Sequence, residues 1–184
     1  MCLCYNSDGD SMLEIFLPDC IVNHYSELTA KQLLDDGIKL FLCDIDNTLV
    51  GPDEPDVSKE ALEYLESIKA AGIEVVLISN NTQNRVETFN HGLNLKVYPM
   101  ALKPLLKTYN QIKKDYPHIE TNEMLSLGDQ VMTDILGSNL AGIKVVLTKR
   151  FVDKDLLVTK LNRLLENFVI KILKLRKKWP NEEV

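Results

Sequence analysis

The sequence contains no uncharged apolar run long enough to cross a bilayer and no signal-peptide pattern. It has four cysteines, and their positions (2, 4, 20 and 43) match neither a zinc ribbon nor a disulfide framework. Free thiols are typical of a reducing compartment, so we expect a cytoplasmic protein. The three histidines have no acidic or cysteine neighbours at ligand spacing, which argues against a histidine metal site.

Basic residues are scarce outside the carboxyl-terminal segment. The chain has 184 residues and a formal charge of −6. Residues 160–179 contain seven Lys or Arg and one Glu, a local charge of +6, so the rest of the chain carries −12. This acidic body argues against a general nucleic-acid-binding protein. The length predicts a single domain, 1–184, that buries a sizeable core.

The most informative stretch is Asp44-Ile45-Asp46-Asn47-Thr48, which follows the apolar run 39–43. Such a run predicts a buried parallel strand. Asp44 and Asp46 are two residues apart, so both carboxylates point to one side of the chain, at the sheet edge where open α/β sheets bind ligands. Burying both requires a cation or a proton to offset their repulsion. Taken alone, the stretch could equally form a helix cap or a turn.

Polar and charged residues also recur at the ends of later predicted elements. They are Ser79 and Asn80 after strand 74–78, Lys103 at the start of helix 103–116, and Asp129 and Asp134 after strand 124–128. Each has an ordinary structural explanation as a turn residue, a surface lysine or a solvated acid. Together they add a hydroxyl, a lysine and a second acidic pair to the same sheet edge.

Predicted strands and helices alternate along the chain, which indicates an α/β fold with a parallel sheet and helices on both faces. Further predicted elements are short strand 97–99, strand 143–148, a helix from Asp56 or Ser58 to Gly72, a helix around Val86 and Phe89, helix 131–141, and an arm at 15–18. The intervals from Thr48 to Ser79 and from Ser79 to Lys103 leave no room for an inserted cap domain.

Over roughly residues 38–150, these motifs resemble the four motifs of the haloacid-dehalogenase-like (HAD) phosphatases: D-x-D-x-T, Ser/Thr, Lys and G-D-x(3,4)-D. Asn47 stands where many relatives have Gly, and Asn tolerates the same left-handed backbone. A closer resemblance is to the YqeG-type phosphatases of subfamily IIIA, which are related to eukaryotic phosphatidylglycerophosphate phosphatases. It is carried by Leu28-Thr29-Ala30-Lys31, the Asp44 stretch, Ala101-Leu102-Lys103-Pro104 and Gly128-Asp129-Gln130. The resemblance implies a three-layer Rossmann-like HAD fold and a Mg²⁺-dependent phosphomonoester hydrolase.

The resemblance also implies a role for each site residue. Asp44 would attack phosphorus and form an aspartyl-phosphate, and Asp46 would act as general acid and base. Mg²⁺ would be held by the Asp44 and Asp129 carboxylates and the Asp46 carbonyl, with Asp134 beside it. The phosphoryl oxygens would be held by Thr48, Ser79, Asn80 and Lys103.

The sequence is compatible with two classes of substrate and with one non-catalytic function. By resemblance we expect phosphatidylglycerophosphate, and a soluble metabolite or a phosphoprotein is the alternative. A third hypothesis is a non-catalytic HAD scaffold that binds a membrane or another partner. The uncapped site favours a bulky substrate such as a lipid head group, unless an oligomer supplies a lid.

The carboxyl-terminal segment predicts an amphipathic basic helix over about 155–179. Apolar residues recur there at steps of three and four: Leu157, Leu161, Leu164, Leu165, Phe168, Ile172, Leu175 and Trp179. Two explanations remain. The helix packs on the core, or residues 160–179 bind a membrane surface or a partner, which the lysines and Trp179 favour. In the second case a cytoplasmic protein would lie peripherally on the inner membrane face.

Overall fold

Six parallel strands form a single sheet in the computed structural model. It describes residues 13–151 and 157–180, the side chains of 157–163 excepted. The strands lie in the order β1-β6-β5-β2-β3-β4. Their bounds are β1 Cys20–Val22, β2 Leu40–Cys43, β3 Glu74–Ile78, β4 Lys96–Tyr98, β5 Met124–Gly128 and β6 Lys144–Thr148.

Helices connect these strands and cover both faces of the sheet. They are α1 Ala30–Asp35, α2 Lys59–Ala70, α3 Gln83–Asn90, α4 Leu106–Asp115, α5 Leu136–Leu140 and α6 Leu157–Leu175. The side chain of Ser58 caps α2 by accepting a hydrogen bond from the Ala61 N–H, so Ser58 rather than Asp56 is the cap. The predicted α/β fold with a parallel sheet and helices on both faces is confirmed.

Strand β2 lies inside the sheet with both of its faces covered. Alternate side chains of a strand point to opposite faces. Phe41 and Cys43 accordingly join the apolar cluster that includes residues of α2 and α3, whereas Leu40 and Leu42 join the cluster that includes Tyr109 of α4. All four β2 side chains are fully buried. The residue that follows β2 therefore emerges in the middle of the sheet's carboxyl edge.

Three predicted elements differ from the structure. Helix 103–116 begins later, at Leu106, because Lys103 and Pro104 form a turn before it. Helix 131–141 opens with a π-helical turn over Val131–Ile135 before α5. Segment 15–18 is a 3₁₀ turn and its exit rather than only an arm, and it leads into β1, which the sequence did not predict and which pairs with β6.

The cysteine prediction was wrong at one position. Cys43 is free and buried in its strand, as expected. Cys20 is disulfide-bonded, so the expectation of free thiols fails there. Cysteine usage therefore no longer supports a reducing compartment.

Helix α6 packs against the sheet through only one of its faces. Leu173 on this face is buried, and Ile170 and Trp179 contact a small apolar cluster of Val131 and Ile135. The other face exposes Leu164, Leu165, Phe168 and Leu175. Within the described residues, no helix is both long and apolar enough to cross a membrane.

Candidate active site

Lys103 is a buried cation at the carboxyl edge of the sheet, between two carboxylates. Its Nζ lies 2.7 Å from Asp44 Oδ1 and 2.6 Å from Asp134 Oδ1, and it donates to the Ile78 carbonyl at 3.0 Å. Asp44 follows β2, Ile78 ends β3, and Asp134 lies in the π-helical turn after β5. The lysine thus connects three separate elements at one point.

Three of the predicted site carboxylates lie together. Oxygens of Asp44, Asp129 and Asp134 all lie within 4.8 Å of one another, and the three residues are buried. Asp129 Oδ1 is itself buried and has no hydrogen-bond partner among the described residues. A buried carboxylate oxygen without a donor is unfavourable unless a cation occupies the space in front of it. These oxygens are the kind of ligand that Mg²⁺ prefers, so the residues fit the expected ion.

The electrostatics of this cluster also favour a cation. Burial raises the pKa of Asp44 to about 6, although the neighbouring Lys103 opposes the shift. Burial and the nearby Asp44 and Asp134 carboxylates raise the pKa of Asp129 well above its usual range. Burial by itself would lower the pKa of Lys103, but the carboxylates of Asp134 and Asp44 raise it above its ordinary value. Lys103 therefore stays charged and leaves the cluster short of positive charge.

Gly128 is required for the approach of Asp134. A Cβ atom on Gly128 would overlap the Asp134 carboxyl group. Asp134 Oδ2 accepts the Gln130 N–H at 3.1 Å, and its Oδ1 is paired with Lys103, so the group has little freedom to withdraw. In the Gly-Asp pair of the sequence motif, Gly128 thus leaves space for the Asp134 side chain, and Asp129 contributes its own carboxylate to the cluster.

Two of the residues predicted to bind phosphate lie beside Asp44 and Lys103. Thr48 Oγ1 donates to Asp44 Oδ2 at 3.2 Å, and both residues are buried. Asn80 clasps the backbone of Lys103: its Oδ1 accepts the Lys103 N–H at 2.6 Å, and its Nδ2 donates to the Lys103 carbonyl at 3.1 Å. The Asn80 side chain therefore fixes the turn that carries the lysine. This clasp and the ion pairs of Lys103 account for the late start of α4.

Ser79, the third of these residues, is buried directly after β3. Its Oγ accepts the backbone N–H of Asn81 at 3.1 Å. Its hydroxyl proton can still be donated to a further acceptor, as binding to a phosphoryl oxygen requires.

Asp46 lies outside the buried cluster and is paired with an arginine, Arg85, that no sequence motif had indicated. Arg85 Nε and Nη2 donate to Asp46 Oδ1 at 3.1 and 2.8 Å, while Asn81 Nδ2 donates to Oδ2 at 3.2 Å. Arg85 also donates to the carbonyls of Glu54 and Pro55 at 2.8 and 2.7 Å. No local pattern marks Arg85, because its partners precede it by 30 to 39 residues.

Arg150 and Glu166 form a second group that the sequence did not reveal. Arg150 Nε donates to Asp129 Oδ2 at 2.8 Å, and its Nη2 donates to Glu166 Oε2 at 2.7 Å. Glu166 Oε1 accepts the Val131 N–H at 2.7 Å. Two signals were present in the sequence. Arg150 follows a predicted strand end, and Glu166 is the only acid among the basic residues of 160–179.

Comparison with known proteins gives a consistent result. A sequence profile of the family described as mitochondrial PGP phosphatase matches residues 11–153. The protein named "Probable phosphatase YqeG" of Bacillus subtilis (strain 168) is 32% identical over 161 residues, which cover 88% of this chain and 93% of that protein.

Solved structures share the fold at low sequence identity. The cobalt-bound deoxy-D-mannose-octulosonate 8-phosphate phosphatase of Haemophilus influenzae superposes with a TM-score of 0.52 at 14% identity, over 76% of this chain and 91% of that one. A hypothetical protein from Xanthomonas campestris gives a TM-score of 0.53 at 18% identity, over 69% and 72% of the two chains.

Proposed function

The chain belongs to the mitochondrial PGP phosphatase family and is a HAD-type phosphatase, and from this premise we propose a Mg²⁺-dependent phosphomonoesterase that works through an aspartyl-phosphate. One observation carries the proposal: oxygens of buried Asp44, Asp129 and Asp134 lie close together, Asp129 Oδ1 has no hydrogen-bond partner in the described part of the chain, and Lys103 is ion-paired with Asp44 and Asp134. Such a cluster is costly to fold, and its use in charge stabilisation explains why it persists.

The Mg²⁺ ion would be held by the carboxylates of Asp44 and Asp129 and by the Asp46 carbonyl, with Asp134 beside it. When bound, it would offset the negative charge of the phosphoryl oxygens and of the carboxylates themselves. Arg150 holds Asp129 Oδ2, which leaves Oδ1 for the ion.

In the first half-reaction, a carboxylate oxygen of Asp44 attacks phosphorus, and the bond between phosphorus and the leaving oxygen breaks. Asp46 donates a proton to that oxygen, so the product leaves as an alcohol. Arg85 holds Asp46 Oδ1 through two N–H groups, whereas Oδ2 accepts a single, longer hydrogen bond from Asn81, so we assign the proton transfer to Oδ2. Lys103 stays beside Asp44 and balances charge as the new bond forms.

In the second half-reaction, water attacks the aspartyl-phosphate and Asp46 accepts its proton. The P–O bond to Asp44 breaks, and phosphate leaves with the Asp44 carboxylate restored. Thr48, Ser79 and the backbone at Asn80 lie at the edge where phosphoryl oxygens would be held. The Asn80 side chain acts indirectly, by fixing the backbone of Lys103.

For the substrate we propose a lipid phosphate, with phosphatidylglycerophosphate as the first candidate. The family supports this choice, and so does the open site. Between β2 and α2, residues 44–58 contain no helix and no strand beyond one isolated bridge, so no cap domain is inserted between these two elements. A soluble metabolite or a phosphoprotein remains the second candidate. The assembled ion pairs of Lys103 count against a non-catalytic scaffold.

A panel of phosphate esters with controlled metal tests this proposal. We expect hydrolysis in Mg²⁺ and highest efficiency with the lipid phosphate. EDTA should abolish activity, and Ca²⁺ should fail to restore it because its looser coordination suits in-line attack poorly. Readouts are released phosphate and, independently, Mg²⁺ binding by calorimetry. Full turnover in EDTA would exclude a catalytic metal ion. Higher efficiency with soluble phosphate esters would instead support a soluble metabolite or a phosphoprotein as the substrate.

We also propose that residues 160–179 bind an anionic membrane surface, which would place the protein peripherally on an inner membrane face. At 100° per residue, Leu164, Phe168 and Leu175 lie opposite the packed face that holds Glu166 and Leu173. The apolar periodicity of the sequence therefore marks largely the outward face of α6, and lysines and arginines flank it. An exposed apolar stripe with basic flanks is typical of helices that lie on membranes.

Co-sedimentation with anionic vesicles checks this surface. We expect binding at low salt that weakens at high salt. The double variant Leu164→Gln with Phe168→Gln should reduce partition by about tenfold or more, because each loses apolar contact. Leu140→Gln removes an exposed leucine elsewhere and is the control. Equal partition of the variant and the wild type would assign α6 to a protein partner.

A further inference from the structure

After β4, residues 100–105 and the first residue of α4 form a segment, called here the 100–106 loop, that presents large apolar side chains to solvent next to the buried catalytic lysine. Met100, Leu102 and Leu105 are 64%, 56% and 60% exposed, whereas Ala101 and Lys103 are only 1% and 6% exposed. Over residues 100–103 the side chains therefore point alternately to solvent and to the interior. The same backbone that buries Lys103 turns leucine and methionine outward.

The loop is held in this shape by the active site itself. Met100 and Leu102 have left-handed backbones, with φ of 49° and 56°, which bulky side chains rarely adopt. The Met100 N–H donates to the Asn81 carbonyl at 2.9 Å, and the Ala101 N–H donates to the Ser79 carbonyl at 3.0 Å. With the Asn80 clasp on Lys103, these bonds compensate the unfavourable backbone. The outward apolar side chains are thus fixed relative to the site.

Burial in the core does not explain these side chains. Leu106 at the start of α4 is also exposed, so four large apolar residues occur within seven positions. A concentration of exposed large apolar side chains beside a functional site commonly marks a binding surface. Lys107 follows and is exposed, which places a positive charge at the margin of the group.

The position of the group favours a bilayer as its occupant. The loop borders the carboxyl edge where Asp44 and Lys103 lie, so a protein seated on it would cover the entrance to the site. A bilayer that contacts the loop instead presents its own head groups to that entrance. The positive charge of Lys107, like that of α6, complements an anionic head-group layer.

We propose that the 100–106 loop inserts Met100, Leu102 and Leu105 into an anionic lipid surface and thereby places a membrane-embedded phosphate ester at Asp44. This inference deepens the proposed function and rests on it for the identity of the substrate. It concerns a surface separate from α6. The loop follows β4, which is one edge strand of the sheet, whereas α6 packs beside β6, next to the opposite edge strand β1.

The test is a triple variant, Met100→Asn, Leu102→Asn and Leu105→Gln, with α6 left unchanged. Asn tolerates left-handed backbone better than Met or Leu, so the substitutions at 100 and 102 relieve strain, and Leu105 has an ordinary backbone and an exposed side chain, so the variant should stay folded. Partition onto vesicles of equal phosphatidylglycerol and phosphatidylcholine should fall at least about tenfold. The ratio of phosphatidylglycerophosphate hydrolysis in vesicles to p-nitrophenyl phosphate hydrolysis in solution should fall by a similar factor. Light scattering should give equal masses for variant and wild type.

The control is Leu34→Asn, which removes an exposed leucine in the last turn of α1, the helix that precedes β2. It should match wild type in both readouts. Unchanged partition of the triple variant overturns the inference, even if the wild type is an active phosphatase. A wild-type dimer that becomes monomeric in the variant also overturns it, because the occupant is then a second copy. Loss of vesicle binding in the variant of a protein that hydrolyses no phosphate ester supports the surface while refuting the proposed function.

Discussion

Lys103→Met should destabilise the metal-free protein by roughly 3–5 kcal/mol at pH 7.5 and abolish activity. The lysine side chain is 2% exposed and is paired with Asp44 and Asp134. Methionine fills a similar volume but removes the cation, so three buried carboxylates are left with Arg150 as the one cation that contacts any of them among the described residues. Urea unfolding monitored by circular dichroism measures the loss.

The destabilisation should depend on pH in a defined direction. Burial already raises the pKa of Asp44 to about 6 and raises the pKa of Asp129 well above its usual range. Without Lys103 these pKa values rise further. A carboxyl group whose pKa is higher in the folded than in the unfolded protein lowers the free energy of unfolding as pH rises from the unfolded-state pKa through the folded-state pKa. The cost of Lys103→Met should therefore be larger at pH 7.5 than at pH 5. Lys107→Met, an exposed neighbour, is the control, and equal stability of Lys103→Met and wild type at pH 7.5 would contradict the ion-pair role.

Asp44→Asn should lower phosphatase activity by at least about three orders of magnitude while the fold stays intact. Asparagine cannot form the acyl-phosphate, so acid-quenched wild type should retain phosphate from labelled substrate and the variant should not. Wild-type turnover in the variant would rule out Asp44 as the nucleophile. Asp35→Asn, at an exposed carboxylate on α1, controls for loss of one charge.

The same substitution should leave the metal-free protein equally or more stable at pH 7.5. The pKa of Asp44 is raised from 3.8 to about 6 in the folded protein, so wild type loses stability as pH rises through that interval. The ionised group then costs on the order of 1–3 kcal/mol at neutral pH. Asparagine removes this pH-dependent part. Melting temperatures of the two proteins should therefore converge as pH falls toward 4 and separate as it rises.

The sequence predicts the centre of the site well because its residues follow strand ends. The ends of β2, β3 and β5 meet at one edge in any parallel sheet, so Asp44, Ser79 and Asp129 could be placed together before the structure. Asn47 has the left-handed backbone expected at its position, with φ of 65°. The placement of these residues depends on local pattern and topology alone.

Other features depend on contacts that no local pattern encodes. Strand β1 has three residues, too few for a period to be recognised, and it is defined by pairing with β6 more than 120 residues later. Arg85 and Arg150 reach the site through ion pairs that span 39 and 21 residues. For α6, periodicity finds an apolar stripe but does not say which face packs. The structure packs the face that holds Glu166, Ile170 and Leu173.

The contact of Glu166 with Arg150 connects helix α6 to the carboxylate cluster through Asp129. The family profile ends at residue 153, before α6 begins. A chain cut there would keep every motif residue yet lose the carboxylate that shares Arg150 with Asp129 and accepts the Val131 N–H. Without Glu166, the Arg150 guanidinium would pair with Asp129 alone and would compete with a metal ion for the Asp129 carboxylate. We therefore expect the shortest active form of this chain to extend beyond the matched residues 11–153 and to include Glu166 of α6.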